Sequence, residues 1–310
     1  MHPVHAAGVL RTKGERDLAI EALLELLGRE PYHIDGLNHL VTMLSRPGLD
    51  DTARPFRRRL HELRCIGAQL PESEHSAIID YLEATHGVGP IPKRMPVSLV
   101  RATFEGLADF YDWKLRAYLH YRAPELVAEA IRKTERGRDH GLDVLDLGCG
   151  TGLMGDYLRT IASHLTGVDV SQRMLQRARE RDLYDELIEA DFVSWLEGKR
   201  HRYDVIVASD VLCYTGALGP IFELVRSRLG SRGRFVFTAE KSDSEDVALR
   251  LTERYVHHER HIRATAALHQ FEVAHLVERS LRTQNGRPVD GLVVTLERPS
   301  VASPPLPSGR

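Results

Sequence analysis

Apolar residues recur at helical spacing through the first third of the chain. Leu18, Ala22, Leu23, Leu26 and Leu27 fall on one face, as do Leu37, Leu40, Val41 and Leu44. Pro31 and the pair Pro47-Gly48 interrupt the pattern, so residues 14–63 read as an array of short helices, about three to four turns each. A further helical stretch, 72–84, leads into Gly87-Val88-Gly89-Pro90-Ile91-Pro92, a linker and a domain boundary. Residues 100–121 read as one or two helices dense in aromatic side chains: Phe104, Phe110, Tyr111, Trp113, Tyr118 and Tyr121. Such density covers something flat or anchors in a core. Pro124 opens the next helix, over 125–136.

From Leu142 the pattern changes to short apolar runs that alternate with helical ones. Strands are expected at 142–147, 165–170, 187–190, 205–208 and 235–238, with helices beginning at Leu153, Gln172, Phe192 and Leu218. Near-continuous apolar strands alternating with helices mean a parallel sheet covered on both faces. Two further strands, 272–282 and 292–297, flank Gln284-Asn285-Gly286-Arg287-Pro288. Asn-Gly is a strong hairpin signal, so the seven-stranded sheet is expected to end in an antiparallel strand. The organisation is then a helical cap over 1–90, an α/β domain over 91–298 and a disordered, proline-rich tail over 299–310.

Composition narrows the function classes. Of 310 residues, 42% are hydrophobic and 28% charged, as in soluble globular proteins. No run of 18 apolar residues marks a membrane span, and residues 1–10 lack the basic head and apolar core of a secretory signal. Cys65, Cys149 and Cys213 are far apart, so neither a disulfide framework nor a metal site is expected, and a cytoplasmic setting is. The net charge of −2 supplies no field to gather nucleic acid or a membrane surface. The basic run Arg57, Arg58 and Arg59 reads as a solvated helix face.

The chemistry-bearing residues gather at the ends of the expected strands. Asp146-Leu147-Gly148-Cys149-Gly150-Thr151-Gly152 is a buried strand running into a glycine-rich turn and then a helix, where a ligand approaches the backbone closely. Gly150, Gly152 and Gly155 also match the spacing of a dinucleotide turn. Asp146 argues against that reading, since a carboxylate there repels a pyrophosphate and suits a ligand carrying an ammonium and a sulfonium. Asp169 stands 19 residues after Gly150, placed for the two hydroxyls of a ribose. Asp191 with Phe192 follows the third strand, and Asp210 ends the fourth. Ligands of open parallel sheets bind along that edge.

These motifs resemble those of the class I S-adenosylmethionine-dependent methyltransferases, over residues 104–297. The stretch 146–152 is similar to the family's first motif, 167–171 to its second, 190–192 to its third and 203–212 to its fourth. Ser231-Arg232-Gly233-Arg234-Phe235 resembles the turn into the fifth strand, with Ser where Pro is common. Residues 17–44 resemble a degenerate tetratricopeptide unit, and with the segment 104–112 the chain resembles a bacterial group of tetratricopeptide-containing methyltransferases. The resemblance implies a Rossmann-like sheet with S-adenosylmethionine as cofactor. It implies that Asp146 and the turn Gly148, Cys149, Gly150 and Gly152 hold the methionine part, that Asp169 takes the ribose, and that Asp191 with Phe192 takes the adenine. Val170, Met174 and Ser209 are implied neighbours of the cofactor, and Phe110, Tyr111, Tyr118 and Tyr121 an aromatic lid.

Methyl transfer to oxygen or nitrogen is often assisted by a base. Tyr255-Val256-His257-His258-Glu259-Arg260-His261 offers candidates, with His257 and His261 placed on one helix face, four residues apart. Asp210, Cys213 and Tyr214 are expected beside the transferable methyl. Ser209-Asp210-Val211-Leu212 lacks the Pro-Pro-aromatic sequence that holds a flipped base, which argues against a nucleic-acid acceptor. The expectation is O-methylation of a small molecule or peptide side chain, with a helical cap that binds a protein partner or simply packs. Two alternatives stay open: a nicotinamide-dependent oxidoreductase, and a non-catalytic adaptor on the same scaffold.

Overall fold

The computed structural model describes residues 3–44, 50–134, 140–198, 200–284 and 286–299. The chain divides into two units, Met1–Pro92 and Lys93–Arg310. In the first, α1 (Pro3–Thr12), α2 (Arg16–Arg29), α3 (Ile34–Leu44), α4 (Asp50–Gly67) and α5 (His75–Ala84) follow one another. Leu23, Leu27, Leu37, Leu40 and Leu44 form its core, on the faces that the periodicity marks. The arginine run on α4 departs from expectation: Arg58 is exposed, but Arg57 is buried, 3.9 Å from Glu83 of α5. A buried acid draws in the one arginine of the three that faces it. The Pro47-Gly48 break and the tail from 300 onward lie outside the described residues.

The second unit begins with α6 (Val97–Leu107), α7 (Tyr111–Trp113), a π-helical turn over Lys114–Tyr118, and α8 (Ala123–Lys133). There follow β1 (Leu142–Leu147), α9 (Gly155–Leu158), β2 (Ala162–Asp169), α10 (Gln172–Glu180), β3 (Glu186–Glu189), α11 (Phe192–Gly198), β4 (Tyr203–Ala208) and α12 (Leu218–Arg228). The chain continues with β5 (Leu229–Lys241), β6 (Val247–Leu249), β7 (Tyr255–His257), α13 (Glu259–Leu268), β8 (Glu272–Gln284) and β9 (Arg287–Glu297). Among the described residues no helix is long and apolar enough to cross a membrane.

Among the described residues the sheet has nine strands rather than the expected seven. β3, β2, β1, β4 and β5 lie parallel in that spatial order, and β9 returns antiparallel on β5 with β8 outside it. Gln284 pairs with Arg287, so a two-residue connection carrying Gly286 at φ +72° closes the hairpin, as Asn-Gly predicts. Asn285 itself lies outside the described residues. The two extra strands, β6 and β7, come from 242–257, and β7 includes His257, which the sequence pattern places on a helix face. β4 leaves β5 after Ala208, opposite Phe237, and the vacated edge of β5 is taken by β7, with Val256 beside Glu240. Strand pairing there satisfies backbone groups that the length of β5 would leave open.

Two apolar layers sandwich the sheet, one around Phe222, Phe235 and Phe237 against α12 and α13, the other around Val127, Val144 and Val205 against α8. Gly291 of β9 shows how closely the strands are packed. A Cβ there would lie 2.3 Å from Leu281 Cδ1 and 2.7 Å from the Ala239 carbonyl oxygen. Gly291→Ala should therefore destabilise the fold by about 1–3 kcal/mol through overpacking, read as a lowered urea midpoint at unchanged m-value.

Candidate active site

The spatial order of the strands reverses at β1, which lies between β2 and β4, and such a switch point opens a crevice at the carboxyl edge. β1 enters that crevice through a turn that only glycine tolerates, with φ of +65° at Gly148, +55° at Gly150 and +83° at Gly152. A Cβ at Gly148 would also collide with Val211 Cγ2, at 2.5 Å. Asp169 fastens the turn to β2. Its Oδ2 accepts from the Gly150 amide at 2.9 Å and its Oδ1 from the Ser171 amide at 2.9 Å. Ser171 in turn caps α10, its Oγ accepting from the Met174 amide.

Two lobes open on either side of this turn. The larger, an open cavity of about 760 Å³, is floored by Gly148, Gly150, Asp169, Val170, Asp191 and Phe192 and roofed by Val97, Val100, Phe104 and Tyr111. The smaller, of about 340 Å³, holds Asp146, Cys149, Thr151, Tyr111 and Tyr121. Gly148, Gly150, Ser209 and Tyr111 line both. The Tyr121 hydroxyl lies 3.4 Å from Ser209 Oγ.

Burial dominates the electrostatics of both lobes. It pushes the Asp146 carboxyl up to about 7, although a 2.7 Å hydrogen bond from the Tyr184 hydroxyl opposes the rise. It pushes Asp169 up to about 6 against the pull of its backbone donors. Among the described residues neither acid has a cationic side chain beside it. Asp191 differs: Arg94 binds both its oxygens, at 3.0 and 3.1 Å, and Ser194 Oγ donates to it at 3.0 Å. Arg94, 97 residues away in sequence, carries no local signal that would single it out.

Asp210 and Tyr214 belong to a buried ionic network built by the inserted strands. Arg254, just before β7, donates to Asp210 Oδ1, to Glu240 Oε1 and, at 2.8 Å, to the Tyr214 hydroxyl. Its guanidinium lies 5.0 Å from the Tyr214 ring centre, while Phe104 meets the same ring edge-on at 5.7 Å. Arg282 of β8 binds Glu240 at 2.6 Å and approaches Asp210 at 3.6 Å. Sequence reading missed Arg254, Glu240 and Arg282 because three separate strand ends bring them together.

Several expected site residues stand elsewhere. His257 is in β7, fully buried, with Nε2 2.9 Å from the Thr215 carbonyl oxygen, and burial pushes it down to about 4. His261 is in the first turn of α13, its ring stacked 6.0 Å from that of His257. The two do not share a helix face and line neither lobe, which removes them as bases. Tyr118 is 60% exposed and Phe110 65%, so of the expected lid only Tyr111 and Tyr121 face a lobe. Met174 is buried in the core, and Gly152 is required by Arg181 and Tyr184, each 3.1 Å from where its Cβ would be. Cys213 is a buried thiol whose Sγ lies 3.3 Å from the Asp210 carbonyl oxygen.

The roof is held by a ladder of charges. Glu105 of α6, Asp109 of the turn after it and Asp112 of α7 follow one another, and Arg173, Arg177 and Arg181 recur at four-residue intervals from α10 onward. Glu105 accepts from Ser171 Oγ at 2.9 Å and its carbonyl from Arg173 at 3.0 Å, Asp109 pairs with Arg173 and Arg177, and Asp112 with Arg181. Among the described residues no cluster of three or more His, Cys, Asp or Glu is arranged to hold a metal.

Two expectations follow. Asp109→Arg should speed amide hydrogen exchange across residues 104–118, and adding Arg177→Asp should recover part of the protection, since the double variant rebuilds one of the two pairs with reversed polarity while Arg173 stays unpaired. For Asp146, the folded state holds the proton more tightly than the unfolded chain. Its contribution to stability is complete below the ordinary carboxylate range and is lost as pH rises through about 7. Urea denaturation of the ligand-free protein at acid and alkaline pH should show that loss, and Asp146→Asn should reduce it.

Comparison with known proteins bears on the same stretch of chain. Residues 145–235 match the family described as "Methyltransferase domain". An 18S rRNA (guanine-N(7))-methyltransferase of Bos taurus is 28% identical over 171 residues, 49% of this chain and 61% of that protein. Methyltransferase-like protein 27 of Homo sapiens is 32% identical over 122 residues, 39% of this chain and 45% of that one. The chain thus spans about half the length of these relatives. A solved structure described as a DhpI-SAH complex shares the fold, with a TM-score of 0.51 at 19% identity, over 66% of this chain and 98% of that one. Residues 145–235, which run from β1 into β5 and carry the glycine turn, are thus similar to a methyltransferase domain, and the α/β fold is that of the DhpI-SAH complex.

Proposed function

We propose that the chain is an S-adenosylmethionine-dependent methyltransferase whose acceptor is a small molecule or a peptide side chain. The observation that carries this reading is the pair of desolvated carboxylates, buried Asp146 and half-buried Asp169, flanking one left-handed glycine turn with no cationic side chain beside them among the described residues. A ligand that brings positive charge offsets that burial, whereas a pyrophosphate would add to it. This disfavours the nicotinamide alternative, although Gly150, Gly152 and Gly155 have its spacing.

The fit extends along both lobes. Asp169 retains lone pairs for two ribose hydroxyls beside the amides it accepts from, and Asp146 would face the ammonium group in the smaller lobe. Phe192 and Val170 supply apolar surface for the adenine. Asp191 is already bound twice by Arg94, so it orients Arg94 at the rim as well as accepting from the base. The cofactor supplies a methyl group on a cationic sulfur. Phe104, Tyr111 and Tyr214 line the cavity as mutually edge-on rings, Phe104 standing 5.8 Å from Tyr111 and 5.7 Å from Tyr214, and such π surfaces favour a cation near them. The near-neutral surface supports a small acceptor over a polyanion.

Calorimetric titration tests the reading. S-adenosylmethionine and S-adenosylhomocysteine should bind and NAD should not, and Asp169→Ala should weaken both sulfur ligands by about 1.5–3 kcal/mol through lost charge-assisted hydrogen bonds. Binding of NAD alone, or an unchanged affinity in the variant, would sink the assignment.

A further inference from the structure

Resting on the methyltransferase reading, we infer that Tyr214, fixed by Arg254, is a hydrogen-bond donor to the methyl acceptor, and that the acceptor group is a carboxylate. The Tyr214 hydroxyl accepts from Arg254 Nη1 at 2.8 Å. A guanidinium has only donors, so the phenolic proton is given to another group. No acceptor for it is present among the described residues, and Tyr214 lines the larger lobe, so the proton is available to a ligand there. The ring has little freedom to turn away, held between the Arg254 guanidinium at 5.0 Å and the edge of Phe104 at 5.7 Å.

Arg254 is a positioning residue whose own place is set by Asp210 and Glu240, with Arg282 as a second cation against the same two acids. The four charges balance. Burial raises the Tyr214 phenol well above its ordinary range, with Arg254 opposing, so the group stays protonated and donates rather than acting as a base.

The other titratable groups lining the larger lobe are already engaged. Asp191 is bound by Arg94, Asp210 Oδ1 by two arginines, Asp169 by two amides, and burial keeps Tyr111 and Tyr121 protonated. His257 and His261 lie outside the lobes. An alcohol or an ammonium must lose a proton on methylation, but a carboxylate is already ionised at neutral pH. One carboxylate oxygen can accept from Tyr214 while the other attacks. Its lone pair forms the new O–C bond, the C–S pair withdraws onto sulfur, and an anion and a sulfonium become a neutral ester and a thioether with no proton moved. The ionic network thus serves to aim a neutral donor at an anion.

The test uses the whole chain saturated with S-adenosylhomocysteine, titrated calorimetrically with a series of aliphatic mono- and dicarboxylates, each beside its amide. Parallel methyl-transfer assays with S-adenosylmethionine add guanosine monophosphate, whose N7 also needs no base. Carboxylates should bind and amides should not. Tyr214→Phe should weaken the carboxylate by about tenfold or more, Arg254→Met should do the same, and Arg254→Lys should recover part of the loss. With S-adenosylmethionine saturating, transfer to the carboxylate should be flat between about pH 7.5 and 9, where a reaction that needs the acceptor to lose a proton would climb by up to about tenfold per unit. S-adenosylhomocysteine binding and the melting temperature report whether each variant is folded. The inference is overturned if no carboxylate in the series binds, if Tyr214→Phe binds it as wild type does, or if guanosine monophosphate alone is methylated. If S-adenosylhomocysteine fails to bind wild type, the methyltransferase reading itself falls, and this inference with it.

Discussion

Carboxylates at the ends of β1 and β2 without cations beside them are the feature around which this site is organised. Asp146 is buried and Asp169 half-buried, and desolvation pushes both toward their neutral forms. A structure built only for stability would pair them or replace them with apolar side chains. Instead Asp169 spends hydrogen bonds on the Gly150 and Ser171 amides, which fixes the glycine turn and the start of α10 together. The crevice, the turn and the helix cap are therefore one mechanical piece, and its remaining demand is for positive charge from a ligand.

The other side of the cavity answers the opposite problem. Asp210 and Glu240 are also buried, but there the fold supplies Arg254 and Arg282 in full. That supply depends on β7 occupying the edge of β5 that β4 abandons, since this pairing brings the residue just before β7 beside the residue just after β4. Burial works against the Glu240 charge, yet the two arginines outweigh it and hold that carboxyl below its ordinary range. One edge of the sheet thus carries an open electrostatic demand toward β2 and a closed one toward β5.

How far each half could be read from the chain follows from this. The strands of the parallel sheet, the Asn-Gly hairpin and the acids at the strand ends all announce themselves locally, through apolar runs, glycine spacing and a carboxylate at the end of a run. β1 spans 142–147, as the pattern marks it. The histidine segment misleads for a physical reason: helical spacing at 257 and 261 is also produced by a strand residue followed by a helix start, and only the pairing of Val256 with Glu240 decides between them. Tyr118 and Tyr111 differ in the same way. The sequence offers both as aromatics of one segment, seven residues apart, but in the fold Tyr111 lines the cavity while Tyr118, at the end of the π-helical turn, is exposed.

The likeness to known methyltransferases has a corresponding boundary. The family match covers 145–235, which includes the turn, Asp169, Asp191 and Asp210. Arg94, Phe104, Tyr111, Tyr121, Glu240, Arg254 and Arg282 all lie outside it, and these are the groups that roof the cavity and fix Tyr214. The shared part is the part that a common cofactor requires, because the same ribose and the same cation ask for the same acids at the same strand ends. The roof and the inserted strands lie outside that match. A reading confined to the matched segment would therefore leave out Arg254 and Phe104, the groups that hold Tyr214 in place. The groups that roof the cavity and fix Tyr214 are carried by 93–121 and 240–282.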